Sequence, residues 1–366
     1  MGALDSANHL FGRTLNPRNR QLTVGGSTGG EGALLALRGS MIGFGTDIGG
    51  SIRIPAMCNG LYGFKPSNGR VPYGGQTDGQ PKSKGRISIQ AVAGPLAHSV
   101  ADIDAVMAHL IPRAQWFGED CIPGAWPSPL SSFGRNSNRP ITIGVLPSDG
   151  LVEPLPPVTK VLNEVANALR RTPGVNVVEI PVPKALSKCQ AIAGRLMGVD
   201  GGVNMMDLLE STGESLIPWL QTRMKRGKPI LLSQLAELQA GRRAIELELR
   251  KKLWMQGGSG NEQTIDAIIH PVAPHPVPQL DRYNAVGYTS SFVLLDYPAG
   301  SLPVRNFGEG DLERGVEMGE KVIGSWDKAN RELCMCLSFV ELLWNCFTCF
   351  TDVLQGTKKR LTGRFI

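Results

Sequence analysis

Histidine is scarce in this chain. The 366 residues hold five, few for a zinc enzyme, so no metal site is expected. Cysteine is thin as well. Cys58, Cys121 and Cys189 are scattered, and the other four crowd into the last tenth of the sequence. That distribution does not build a secreted disulfide framework. No basic stretch followed by an apolar run opens the chain, so a signal peptide is not expected and a cytoplasmic setting is. "MGALDS" fits a myristoylation pattern at Gly2 and Ser6 but lacks polybasic support. The formal charge of +6 is dispersed except at Arg223 to Lys228 and Lys358 to Arg360. Solvated loops explain both clusters more economically than nucleic acid does.

What is present is a hydrophobic fraction of 42%, enough to bury a large core as one domain or two lobes. Ala101 to Leu110 reads as a helix with Ser99 as N-cap and Asp102 in its first turn. A proline-rich crossing follows, from Pro112 to Pro140. Residues 141–146 alternate like a strand. Val158, Val161, Leu162, Val165 and Leu169 mark one helix face, and residues 175–182 are strand again. That order predicts a parallel crossover. Leu235, Leu238, Ile245 and Leu249 line a second long helix, with Glu246–Arg250 and Glu248–Lys252 pairs, ended by the "GGSG" at 257–260. "DAIIHPVAP" (266–274) is a buried strand running into a proline turn. The sum is an α/β fold with a mixed, largely parallel central sheet covered by helices on both faces.

Two serine stretches carry the chemistry. "QLTVGGSTGGEGALL" (21–35) sets Ser27 and Thr28 among five glycines. Thr28 with Glu31 forms a capping-box pattern opening a helix at Gly32 to Leu37. No Gly-Lys-Ser/Thr follows to make a phosphate loop. Gly25-x-Ser27-x-Gly29 also matches a nucleophile elbow, although only 26 residues precede Ser27 to supply an oxyanion loop. "GTDIGGSIRIPAMCNGLYGFKPSNGR" (45–70) then sets Ser51 after a glycine pair, 24 residues beyond Ser27. Successive glycine amides pointing into one concavity make an oxyanion hole without side chains.

The pair of stretches resembles the amidase signature family, with its GGSSGGE-type segment followed at this distance by G-T-D-x-G-G-S-[IV]-R-x-P. The likeness continues through "SANHLFGRTLNPRN" (6–19), "AGPLAHSVADID" (93–104), "DAIIHPVAPHPVP" and "GYTSSFVLLDYPAG", and its flavour is that of fungal acetamidase-like enzymes. The resemblance implies the amidase signature fold and an amide hydrolase acting on a small linear carboxamide, without cofactor. It implies that Ser51 is the acyl-forming nucleophile and Ser27, on a cis peptide, the bridging serine. The amides of Ile48, Gly49, Gly50 and Ser51 would hold the oxyanion. Asp47 and Arg53 would be the charged pair that fixes the loop, and Thr28 stands where the family often has serine. The "GYTSSFVLLDYPAG" residues are candidates to wall an acyl pocket.

The family's general base is a buried lysine well upstream of the bridging serine. Residues 1–26 contain none, and the first lysine, Lys65, follows the nucleophile. A chain beginning inside a longer protein, with near-background activity, is therefore expected. Two rivals remain: an esterase using Ser27 with a downstream Asp and His, and a silent binding protein. His270 and His275 fall outside the family's relay, and His98 and His109 read as ordinary residues.

Residues 333–366 depart from the family and are expected to stand outside domain 1–332 and pack poorly. A tail-anchor helix over Leu333 to Phe350 would carry Glu341 near its middle, costing about 3 kcal/mol. A metal site from Cys334, Cys336, Cys346 and Cys349 lacks turn residues between the pairs. Neither membrane nor nucleic acid is an expected partner. The sequence leaves the oligomeric state open.

Overall fold

The computed structural model describes residues 4–75, 88–117, 121–126, 140–221, 223–256, 263–283, 285–307, 311, 322–336 and 347–354. A two-residue ladder, β1 (Ala7–Asn8) with β2 (Gly12–Arg13), opens the chain. The helix Gly29–Ala36, β3 (Ile42–Asp47), the helix Arg53–Asn59, β4 (Tyr62–Lys65), β5 (Val92–Ala97) and the helix Val100–Leu110 follow. Next come β6 (Ile141–Val145), the helix Pro156–Arg170, β7 (Val175–Glu179) and the long helix Leu232–Trp254. A second small ladder, β8 (Met255–Gln256) with β9 (Gln263–Thr264), leads into β10 (Ala267–Pro271). The helix Gly287–Leu294, β11 (Ala299–Asn306), the helix Ser325–Cys336 and β12 (Phe347–Leu354) follow; shorter helices, among them Cys189–Met197 and Val203–Thr212, lie between β7 and the long helix.

Local chemistry accounts for the elements. Pro156 and Pro157 begin their helix where no intrahelical N–H is needed, and Val158, Val161 and Leu162 face inward along one stripe. Ser99 caps the Val100–Leu110 helix by accepting the Asp102 amide. The Leu232–Trp254 helix ends before the 257–260 glycines, where Met255 turns extended into β8. Along it Arg243 pairs with Glu246 at 3.1 Å.

The large sheet has the order β3-β5-β4-β11-β12-β10-β6-β7. β10, β6 and β7 are parallel neighbours, the outcome expected for the 141–182 crossover. The parallel part is nevertheless smaller than "largely parallel" implies. β5 returns between β3 and β4, and every pairing from β3 across to β10 is antiparallel. The mixed α/β character holds, with reversed strands interleaved among those that point one way.

β12 corrects the expectation for the tail. Its backbone pairs in register with both β10 and β11, so residues 347–354 sit inside the central sheet. The segment FTCFTDVL is rich in aromatic and β-branched residues, which suit a pleated ladder. The cysteine quartet lies outside the residues whose side chains are described. The tail-anchor segment also runs through residues outside the described set, and its two ends are a helix and a strand. No helix among the described residues is long and apolar enough to cross a membrane.

Apolar side chains cover both faces of the sheet. One layer gathers Leu146, Cys189, Leu238, Leu249, Trp254 and Phe292. The other gathers Leu22, Ile54, Val158, Leu162, Val272 and Tyr283. Each fully buried aliphatic side chain is worth about 1.5–3 kcal/mol against exposure.

Candidate active site

The Ser27 loop is built from Thr23 to Gly29. Gly25 takes φ +77°, and a Cβ there would press on the Pro55 backbone and Cys58 Sγ, so only glycine fits. The Gly26–Ser27 peptide is cis. Ser6 braces the loop from outside. Its hydroxyl donates to the Gly25 carbonyl at 3.1 Å and accepts the Gly29 amide at 3.1 Å.

Ser6 thereby takes the capping role expected of Thr28. The helix begins at Gly29, earlier than Gly32, and the Thr28 side chain makes no cap hydrogen bond. The capping box is not formed because both of its side chains lie over β3. A Cβ on Gly45 would strike Thr28, and one on Gly43 would strike Glu31. Gly43 and Gly45 share one face of the strand. The helix therefore rests directly on a glycine-paved surface.

The Ser51 loop follows β3. Asp47 ends the strand fully buried and is gripped by Arg53, also fully buried, through Nε at 2.9 Å and a second guanidinium nitrogen at 3.0 Å. The other Arg53 amino nitrogen has no partner. Burial alone would raise the Asp47 pKa. The Arg53 charge and hydrogen bonds, with Lys65 and the Gly50 amide, outweigh it and hold the carboxyl below its ordinary value.

Asp47 also accepts the Gly50 amide at 2.7 Å and the Ile52 amide at 3.3 Å. This corrects one expectation: the Gly50 N–H is committed to Asp47 and is not free for an oxyanion. The amides of Ile48, Gly49 and Ser51 meet no acceptor among the described residues. Gly50 has φ +130°, and a Cβ on it would collide with Thr289 and Ile54. The Thr289 hydroxyl donates to the Gly49 carbonyl at 2.6 Å.

The two loops meet through the backbone, where the Thr28 amide donates to the Ser51 carbonyl at 3.2 Å. Ser27 and Ser51 are both partly open to solvent. Ser27 also borders a cavity of about 370 Å³ with Ser6 and Asn8 on its polar side and Leu209, Ile217 and Leu220 on its apolar side.

Lys65 is fully buried. Its amine donates to the Pro66 carbonyl at 2.9 Å and lies 4.0 Å from Asp296. Burial pushes its pKa down to about 8, with Asp296 opposing the shift. No hydrogen bond joins it to either serine. Asp296 accepts the Asn68 amide at 2.9 Å, so Lys65 belongs to a buried turn brace.

The histidines do not complete a triad. Nδ1 of His270 lies 2.9 Å from the Leu146 carbonyl, and the ring stacks on Tyr288. Nδ1 of His275 lies 2.8 Å from the Pro276 carbonyl. Burial lowers both to about 4. Among the described residues neither serine has a histidine partner. The expected acyl wall is also revised. The helix Gly287–Leu294 is buried throughout, and Phe292, Val293 and Leu294 pack into the core, while Thr289 hydrogen-bonds the Ser51 loop.

Sequence reasoning gave Ser6 no part in the site and Thr289 a place only in an acyl wall. Their partners lie 19 to 240 positions away, beyond any local pattern.

A family model described as Amidase matches residues 1–324. The chain belongs to the amidase family. Its relatives include an acetamidase of Aspergillus oryzae, 33% identical over 304 residues, covering 82% of this chain and 55% of the relative. An acetamidase of Emericella nidulans is 30% identical over 317 residues, covering 86% and 57%. The chain therefore spans little more than half the length of these relatives. Among solved structures, a fatty acid amide hydrolase superposes with a TM-score of 0.76 at 25% identity, covering 96% of this chain and 60% of that one. The fold is that of the amidase signature enzymes.

Proposed function

We propose that this chain carries the nucleophile half of a serine amide hydrolase acting on linear carboxamides. The Ser51 oxygen attacks the amide carbonyl carbon. The oxygen that becomes negative is held by the amides of Ile48, Gly49 and Ser51. The Ser51 proton passes through Ser27 to the departing nitrogen as the C–N bond breaks, leaving an acyl-serine. Water then adds to the ester carbonyl and Ser51 regains its proton, so that amide and water become carboxylic acid and ammonia or amine. Asp47 and Arg53 hold the loop, and Thr28 ties it to the bridging serine.

The observation that supports this reading best is the Thr28 N–H to Ser51 carbonyl bond between two glycine-rich loops, beside amides with no acceptor of their own. The names of the relatives agree with it: acetamidases and a fatty acid amide hydrolase. Among the described residues no lysine is hydrogen-bonded to Ser27. Leu209, Ile217 and Leu220 offer an apolar wall to an aliphatic or aryl acyl group, and Asp5 and Glu214 on the same cavity disfavour an anionic one.

A fluorophosphonate probe followed by peptide mass spectrometry tests the assignment. The adduct is expected on Ser51, absent in Ser51→Ala and slowed in Ser27→Ala. An adduct on Ser27 that persists in Ser51→Ala would support the esterase reading instead. No adduct, even after fusion of a lysine-bearing segment from an acetamidase, would leave a binding protein.

A further inference from the structure

At the far end of the helix that starts beside Ser27 lies a second cavity, of about 280 Å³, sharing no lining residue with the first. Five separate segments meet there. Arg38 follows the helix, Arg18 comes from the N-terminal loop, Tyr62 begins β4, His98 follows β5, and Arg305 comes from β11. No carboxylate lines the cavity. We propose that this cavity is a binding site for a small oxyanion, the phosphate or carboxylate head of a metabolite.

Arg38 disfavours the charged forms of both Arg18 and His98, adding to the burial that already does so. The negative end of a helix dipole accounts for one cation near its C-terminus, but not for three positive or protonatable groups around one hollow. Nε2 of His98 is shielded from water with no hydrogen-bond partner. The ring's other hydrogen bond goes to the Leu35 backbone, so Nε2 donates to an anion only in the protonated ring, the form that a bound anion would favour.

Arg38 adopts φ +61°, a left-handed conformation that non-glycine residues adopt at some cost. It makes no ion pair with an acidic residue among the described residues. Glu164 and Asp311 already hold the Arg305 guanidinium, so it closes the wall, and the attraction comes from Arg38 and His98. An oxyanion entering here would turn the repulsion between Arg38 and His98 into shared attraction, with charge-assisted hydrogen bonds.

The experiment is calorimetric titration of the full chain with inorganic phosphate and, separately, acetate, at ionic strength held constant with sodium chloride. Saturable binding of one of them is expected, identifying the head group. It should weaken at least about tenfold in Arg38→Asn, a change chosen because asparagine tolerates the left-handed backbone. His98→Gln provides a second variant, and circular dichroism checks that both fold. Heats no larger than those of chloride for both anions would overturn the site. So would binding that survives unchanged in both variants. Probe labelling at Ser51 is read independently, so the two proposals fail separately.

Discussion

The amide of Thr28 and the carbonyl of Ser51 are joined by a 3.2 Å hydrogen bond, the stitch between the two serine loops. On the Ser51 side the stitch depends on Gly50, whose φ of +130° no L side chain adopts comfortably and whose missing Cβ makes room for Thr289. Gly50→Ala is expected to reduce fluorophosphonate labelling of Ser51 by more than about tenfold. Thr289→Val keeps the shape but loses the bond to Gly49, and should give a smaller reduction. Equal labelling of all three proteins by mass spectrometry would contradict the geometry.

Asp47 and Arg53 form a buried pair, so removing one partner strands the other. Asp47→Asn should cost about 3–5 kcal/mol in urea denaturation, while Asp47→Leu with Arg53→Met should recover much of the loss. Because the folded carboxyl sits below its unfolded value of about 3.9, its contribution is fully present above that pH. It is lost as pH falls through the lower folded value. The acid limb of wild-type stability should therefore be steeper than that of the double variant.

The Ser99 cap was legible because its partner lies three residues away, whereas the Asp47–Arg53 pair was expected only from the family resemblance. The alternating pattern likewise gave β6, its helix and β7. The Thr28–Glu31 box misled because a four-residue pattern cannot reveal that Gly43 and Gly45 draw both side chains onto a strand. Ser6 looked like part of a lipid signal, and only the fold brings it to Gly25. The Phe347–Leu354 strand was hidden by its cysteine-rich, apolar setting, since a short apolar run does not declare its own secondary structure.

Asp149 is buried with one oxygen bonded to the Leu151 and Val152 amides and the other without a partner. A Cβ on Gly287 would meet both that free oxygen and the Gln190 side-chain oxygen, so two acceptors crowd one spot. Burial raises the Asp149 pKa to about 6. Between about 3.9 and 6 the unfolded chain has released the proton and the folded chain keeps it, so wild-type stability falls as pH rises through that window. Asp149→Asn keeps the amide acceptor and stays neutral. It should be more stable than wild type above pH 6, by on the order of 1–3 kcal/mol, with the advantage vanishing below pH 4. Denaturation at pH 4 and pH 7.5 measures it, and a difference independent of pH would refute it.

Lys65 titrates in the opposite sense. Its pKa falls from the ordinary 10.5 to about 8 because burial penalises the ammonium more than Asp296 favours it. Below pH 8 both folded and unfolded chains carry the proton, and the folded state bears the full cost of burying the charge. From about 8 to 10.5 the unfolded chain retains the proton while the folded chain has lost it, so this residue's contribution to stability rises with pH. Lys65→Met preserves the length of the side chain and cannot titrate. Wild type should gain on the variant across that window, at up to about 1.4 kcal/mol per pH unit. The buried tyrosines Tyr283 and Tyr288, which ionise less readily than usual, act the other way at high pH. They are common to both proteins and cancel in the difference. Loss of the Pro66 and Asp296 contacts adds an offset that does not depend on pH above 10.5. A stability difference that stays flat from pH 7 to 10 would mean that the Lys65 amine keeps its ordinary affinity for the proton, and the turn brace would then have to be more open to water than its burial implies.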